Sequence, residues 1–190
     1  SMARARGVYK WTGIDLLSYL MIGSVIGRML PYYWDTPHRG WVIGLLALYS
    51  VLFTVMRYAA GRAMVLFHPY FVLQIAIAVT LNLVIPSYDG PQDYFVMLSL
   101  PLCIQAMWRL PRKVGQGWVV VLGAVMMISL VVYYRQYEQS WEGIGYGLTY
   151  VAAAVLVSVF SSVTMRSQEA RSQAERLNQE LQLANQELQV

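Results

Sequence analysis

The sequence predicts an all-α membrane protein: six transmembrane helices with short loops, the last helix continuing into a cytoplasmic coiled coil. Three observations carry that prediction. The chain has 190 residues, 57% of them hydrophobic and only 13% charged, where a soluble domain has about 25% charged residues. Six apolar runs of roughly 18–23 residues follow one another, against the ~20 that a bilayer requires. The sixth run then passes into a heptad-spaced polar tail without an intervening Gly or Pro.

The runs cover residues 12–34, 41–58, 68–87, 92–110, 117–137 and 143–165. Residues 1–11 precede them as an N-terminal segment, in which Ser1 before Met2 reads as a cloning scar. Residues 12–165 form the expected membrane domain, and 166–190 the expected signalling and dimerisation helix. No small-residue cleavage site follows the first run, so it reads as a retained span and not as a signal peptide.

Orientation follows from the basic residues. Six spans put both termini on one side of the bilayer. That side receives Arg4, Arg6, Lys10, Arg57, Arg62, Arg109, Arg112, Lys113, Arg166, Arg171 and Arg176. The opposite side receives Arg28, Arg39 and Arg135, with the acids Asp35, Asp89, Asp93, Glu138 and Glu142. Basic loops face the cytoplasm, so both termini are expected there, in a bacterial inner membrane. The same distribution explains the pI of about 9.2 without a nucleic-acid partner.

Local signals agree with these boundaries. Pro69 and Pro91 fall near helix starts, where a missing N–H is harmless. The dipeptide Asp89-Gly90 with Pro91 marks a tight outer turn. Pro101 falls in the middle of the fourth run and predicts a kink there, either a packing feature or a hinge. Gly23 and Gly27 are spaced for close helix packing, and Gly143, Gly145 and Gly147 open the sixth run.

Few residues offer chemistry. The single Cys103 excludes an intramolecular disulfide and reads as a packed thiol. His38 and His68 fall at opposite ends of the expected bundle, about 30 Å apart, too far to share a metal or haem. His68, beside Pro69, reads as an interfacial cap. No nucleophile–base set or phosphate loop stands out. The chain is therefore expected to be no enzyme by itself and to need no cofactor or metal.

Polar groups inside the spans are the candidates for binding. Arg28 lies one to two turns below the outer end of the first run, where a charge must snorkel, pair or face water. The outer acids are its candidate partners. Arg135, Asn82 and Gln105 add polar groups within other runs, and Tyr146 and Tyr150 belong to an aromatic belt that is heavier on the outer side. Together Arg28, Asn82, Gln105, Arg135, Tyr146 and Tyr150 form a candidate ligand-binding set, open alternatively to the reading of interhelical glue. Asp15 reads as structural, paired with Lys10 or a basic inner loop.

The tail repeats Ala170, Ala174, Leu177, Leu181, Ala184 and Leu188, the a/d spacing of a coiled coil. The seam extends back through Ser167, Val163, Phe160 and Leu156 into the apolar run. About three heptads are marginal in isolation, but a membrane tether raises their effective concentration. A homodimer through this helix is expected. Small Ala residues in the seam would keep the pair weak enough to shift.

The stretch RSQAERLNQELQLANQELQ, residues 171–189, resembles the signalling helix of bacterial sensor histidine kinases. Its repeated Asn-Gln-Glu-Leu, at Asn178–Leu181 and Asn185–Leu188, is typical of that linker. The loop-poor six-span domain is similar to the input domains of intramembrane-sensing kinases. The resemblance implies a two-component sensor whose phosphoacceptor and ATP-binding domains would lie beyond Val190. With no large outer domain expected, the stimulus would be a small or lipidic ligand or the state of the bilayer. The alternative is a small transporter or channel with a C-terminal oligomerisation helix.

Overall fold

The computed structural model describes residues 13–58, 64–86, 92–136 and 140–187. The N-terminal segment, the turn at Asp89-Gly90-Pro91, Glu138 and the last seam residue, Leu188, lie outside the described residues. The described residues are helical, with no strand among them. Six segments coincide with the six apolar runs. They are α1 (Gly13–Tyr33), α2 (Arg39–Tyr58), α3 (Phe67–Val79), α4 (Ser99–Arg109), α5 (Arg112–Arg135) and α6 (Ser140–Glu187). A π turn (Thr80–Val84) ends the third segment, and a 3₁₀ stretch (Gln92–Leu98) begins the fourth.

Four helices are long and apolar enough to cross a membrane: Arg39–Tyr58, Phe67–Val84, Arg112–Arg135, and the one containing Trp141–Gln186. The other two segments differ for visible reasons. α1 carries Asp15 and Arg28 along its length. The fourth segment is divided between 3₁₀ and α pairing, so its α part is only 11 residues long.

The fourth segment, not the last, is the centre of the bundle. Every α4 residue from Ser99 to Met107 is buried, the pattern of a helix covered on all sides. It packs against α1, α3, α5 and α6. The peripheral helices bury one stripe and leave the other face apolar and open. On α2 the stripe is Val42, Leu46, Tyr49, Phe53 and Met56, while Val51 and Val55 are exposed. Val120 and Ile128 on α5 and Leu156 on α6 are likewise exposed. Such continuous apolar surface exceeds what soluble monomers leave uncovered and suits contact with lipid.

α6 joins the bundle through small residues. Gly143, Gly147, Ala154, Ser158 and Ser161 are buried. A Cβ on Gly143 would lie 2.9 Å from the Leu130 carbonyl, and one on Gly147 would meet the Met127 sulfur. These glycines let α5 and α6 approach backbone to backbone. The pair expected in α1 behaves differently: Gly23 and Gly27 have nothing within 4 Å of an added Cβ. Within the chain they mediate no close packing, because that flank of α1 is open.

Pro101 is the third residue of α4, just past the change from 3₁₀ to α pairing. The break expected at mid-span thus takes the form of a change in helix type. Pro101 has no N–H to offer Leu98, three residues before it. The Tyr49 hydroxyl donates to that carbonyl instead, at 2.5 Å.

Candidate functional site

Two polar clusters occupy opposite ends of the bundle, joined to different helices. The first surrounds Arg28 on the open flank of α1. Its guanidinium lies over the Tyr94 ring, 5.2 Å from the centroid. Ser24, one turn earlier, shares a 2.9 Å hydrogen bond with the Tyr94 hydroxyl. Asp93 is within electrostatic reach of Arg28, and Tyr150 of both. Tyr146 stacks on Tyr134 with centroids 5.3 Å apart. Arg28 and Tyr146 are exposed, and Asp93, Tyr94, Tyr134 and Tyr150 are half-buried. This is an accessible cationic and aromatic surface drawn from α1, the 3₁₀ stretch, α5 and α6.

Three of the six residues proposed from sequence therefore belong together: Arg28, Tyr146 and Tyr150. The others do not join them. Arg135 is the last residue of α5 and is exposed. Asn82 sits inside the π turn with 1% exposure. Neither polar atom of its amide makes a hydrogen bond. A π turn re-aims one residue out of the α register, and here it turns an amide inward. Gln105 is buried on α4 and belongs to the second cluster.

That second cluster is a buried chain of polar groups. Gln74 Nε2 donates to the Tyr49 carbonyl at 3.1 Å and to the Tyr70 hydroxyl at 3.4 Å. Tyr70 donates to Gln105 Oε1 at 2.6 Å. The Tyr49 hydroxyl extends the chain to Leu98. Tyr49, Tyr70, Gln74 and Gln105 are all buried, so the chain ties α2, α3 and α4 together through their centres. Gln105 then lines a cavity with Asp15, Ser18, Phe53, Arg57, Ile104, Trp108 and Arg109.

Asp15 has a definite partner there. Its carboxylate accepts an ion pair from Arg57 at 2.8 Å, with side-chain exposures of 17% and 4% respectively. Arg57 also lies 5.5 Å from the Tyr19 ring centroid, and Arg109 donates to its carbonyl at 3.3 Å. The sequence reading placed Asp15 at the correct end but did not name this partner. The signal was present: Asp15 and Arg57 are opposite charges at the same expected depth on adjacent helices.

The two histidines are far from both chemistries. His68 Nδ1 accepts a 3.1 Å hydrogen bond from the Trp118 indole, which links α3 to α5. Among the described residues, no group of His, Cys, Asp and Glu is arranged to hold a metal ion. Comparison with known proteins found no matching family model, no matching curated protein and no matching solved structure.

Proposed function

We propose that this chain is the membrane-embedded input domain of a bacterial sensor histidine kinase. On this reading all six segments span the inner membrane, with both termini cytoplasmic. A small, lipidic or membrane-state signal is read by the bundle and passed through α6 to a cytoplasmic output domain. The observation that supports it is the form of α6. It is one helix of 48 residues, about 72 Å at 1.5 Å per residue. Its first half packs on α5, while residues 166–186 are exposed wherever the side chain is described.

The faces of α6 fit transmission to a second copy. Small residues turn towards the bundle, and the large seam residues lie on the other side. Leu156, Phe160, Val163, Leu177 and Leu181 are 58–71% exposed. One apolar stripe thus runs from the bundle into the polar tail, and in a homodimer the two stripes would meet. A signal acts only if it binds two arrangements of α6 unequally. The Arg28 surface is suited to that, because Tyr146 and Tyr150 belong to α6 itself.

Single-cysteine crosslinking in native membranes tests the reading. Crosslinks should be strong at Leu177, Leu181 and Ala184 and weak at Asn178, Gln179 and Glu180. Equal yields around the helix would refute the paired rod. A lipid or ligand effect on these yields, lost in Arg28→Gln, would identify the Arg28 surface as the input.

A further inference from the structure

We propose that the cavity beside Arg57 is a binding site for a single small monovalent anion of chloride size. It is a site separate from the Arg28 surface and does not depend on the sensor reading. Two uncharged donors point to it. Gln105 Nε2 and Trp108 Nε1 are buried N–H groups with no hydrogen-bond partner, and both residues line the cavity. Gln105 is only 6% exposed, and its Oε1 is already taken by Tyr70. Its amide is thereby oriented with the donor end uncommitted.

Charge and size narrow the ligand. The lining carries Arg57, Arg109 and Asp15, one positive charge in excess. Asp15 is held by Arg57 at 2.8 Å, so the carboxylate is engaged on the arginine side. A buried excess charge is costly unless a counterion compensates it. A water molecule would satisfy both N–H donors but would leave that charge. The cavity volume is about 30 Å³, room for one water-sized species. A phosphate headgroup with four oxygens does not fit within it, whereas one halide ion does. Such an ion would accept from Gln105 and Trp108 and sit near two guanidinium groups.

The position gives the ion leverage. The cavity wall is built from α1, α2 and α4, and Gln105 ends the polar chain that reaches Leu98. Ile104, also in the wall, lines a second, apolar groove with Leu156 and Phe160 of α6. Occupancy would therefore tighten the central helix against which α6 packs.

The test is thermal unfolding of the full chain in zwitterionic-lipid nanodiscs, titrated with sodium chloride against sodium gluconate at constant ionic strength. A ligand that binds only the folded state raises Tm saturably, here by about 2–4 °C for a chain of this size. Trp108→Phe keeps the aromatic packing and removes one donor, and it should lose most of the rise. Gln105→Met should do the same. A folded wild type with equal Tm in both salts means water alone fills the cavity and overturns the proposal. So does a chloride effect that survives unchanged in Trp108→Phe. If anionic phospholipid reproduces the rise in gluconate and abolishes the chloride dependence, the acceptor is a lipid headgroup and the proposal also fails.

Discussion

Arg57 and Arg28 sit in the same immediate chemistry and in opposite environments. Each guanidinium lies over a tyrosine ring, Arg57 at 5.5 Å from Tyr19 and Arg28 at 5.2 Å from Tyr94. Arg57 ends the core-facing stripe of α2 and is 3% exposed, with Asp15 as its counterion. Arg28 lies on the open flank of α1 beside Gly23, Ser24 and Gly27, all exposed. A cation over an aromatic ring is thus not by itself a binding feature. Covered and paired, it fastens helices; uncovered, it leaves a charge and a ring face for something outside the chain.

The most severe way to break this comparison is to remove Arg57. Truncating one partner of a buried ion pair leaves the other charge uncompensated and costs about 3–5 kcal/mol. Arg57→Ala should therefore show a large loss of stability in unfolding measurements in detergent. The double variant Asp15→Leu with Arg57→Met should recover much of it, since no charge is then stranded. If Arg57→Ala proves no worse than Arg28→Ala, burial does not separate the two sites.

A second test asks whether the Arg28 end is merely loose. Gly143 belongs to that end, and an added Cβ would also lie 2.9 Å from the Tyr134 Cβ. Overpacking of this kind costs about 1–3 kcal/mol, so Gly143→Ala should destabilise and should splay α6 from α5. An unchanged melting curve would mean that the α5–α6 contact is soft. The contrast would then be one of rigidity and not of exposure. Tyr70→Phe should cost about 1–2 kcal/mol by orphaning Gln105 Oε1, which would sharpen the view that the buried chain is structural.

The positions of the six helices were legible because apolar runs bounded by Pro, Gly and charge follow directly from chain chemistry. Which helix lies at the centre was not. The α4 run holds Gln105, Ser99 and Pro101 and looks less apolar than its neighbours, yet burial on all sides makes it the core. Periodicity reports one buried face and is silent about a helix covered all round. Half of the candidate site was legible for a similar reason. Arg28, Tyr146 and Tyr150 share a level of the bundle, and residues at one level can meet. Asn82 was misgrouped because a π turn changes the direction of a side chain without leaving a mark in composition. Gln105 was misgrouped because its partner, Tyr70, comes from a helix whose rotation the sequence does not reveal.

The smallest expected effect is also the most discriminating. An exposed cation–π contact contributes about 0.5–1 kcal/mol, and surface substitutions elsewhere stay near ±0.5 kcal/mol. Arg28→Gln should therefore leave the melting temperature almost unchanged, in contrast to Arg57→Ala. On the proposed reading it should nevertheless abolish any stimulus-dependent change in crosslinking along Leu177–Ala184. Stability and response would then separate at one arginine and coincide at the other. A variant that keeps both its stability and its response would remove Arg28 from the input and leave the bilayer-facing surfaces as the sensing element. A variant that loses stability as steeply as Arg57→Ala would mean that Arg28 too is a fastening residue, with its cover supplied by a second copy of the chain.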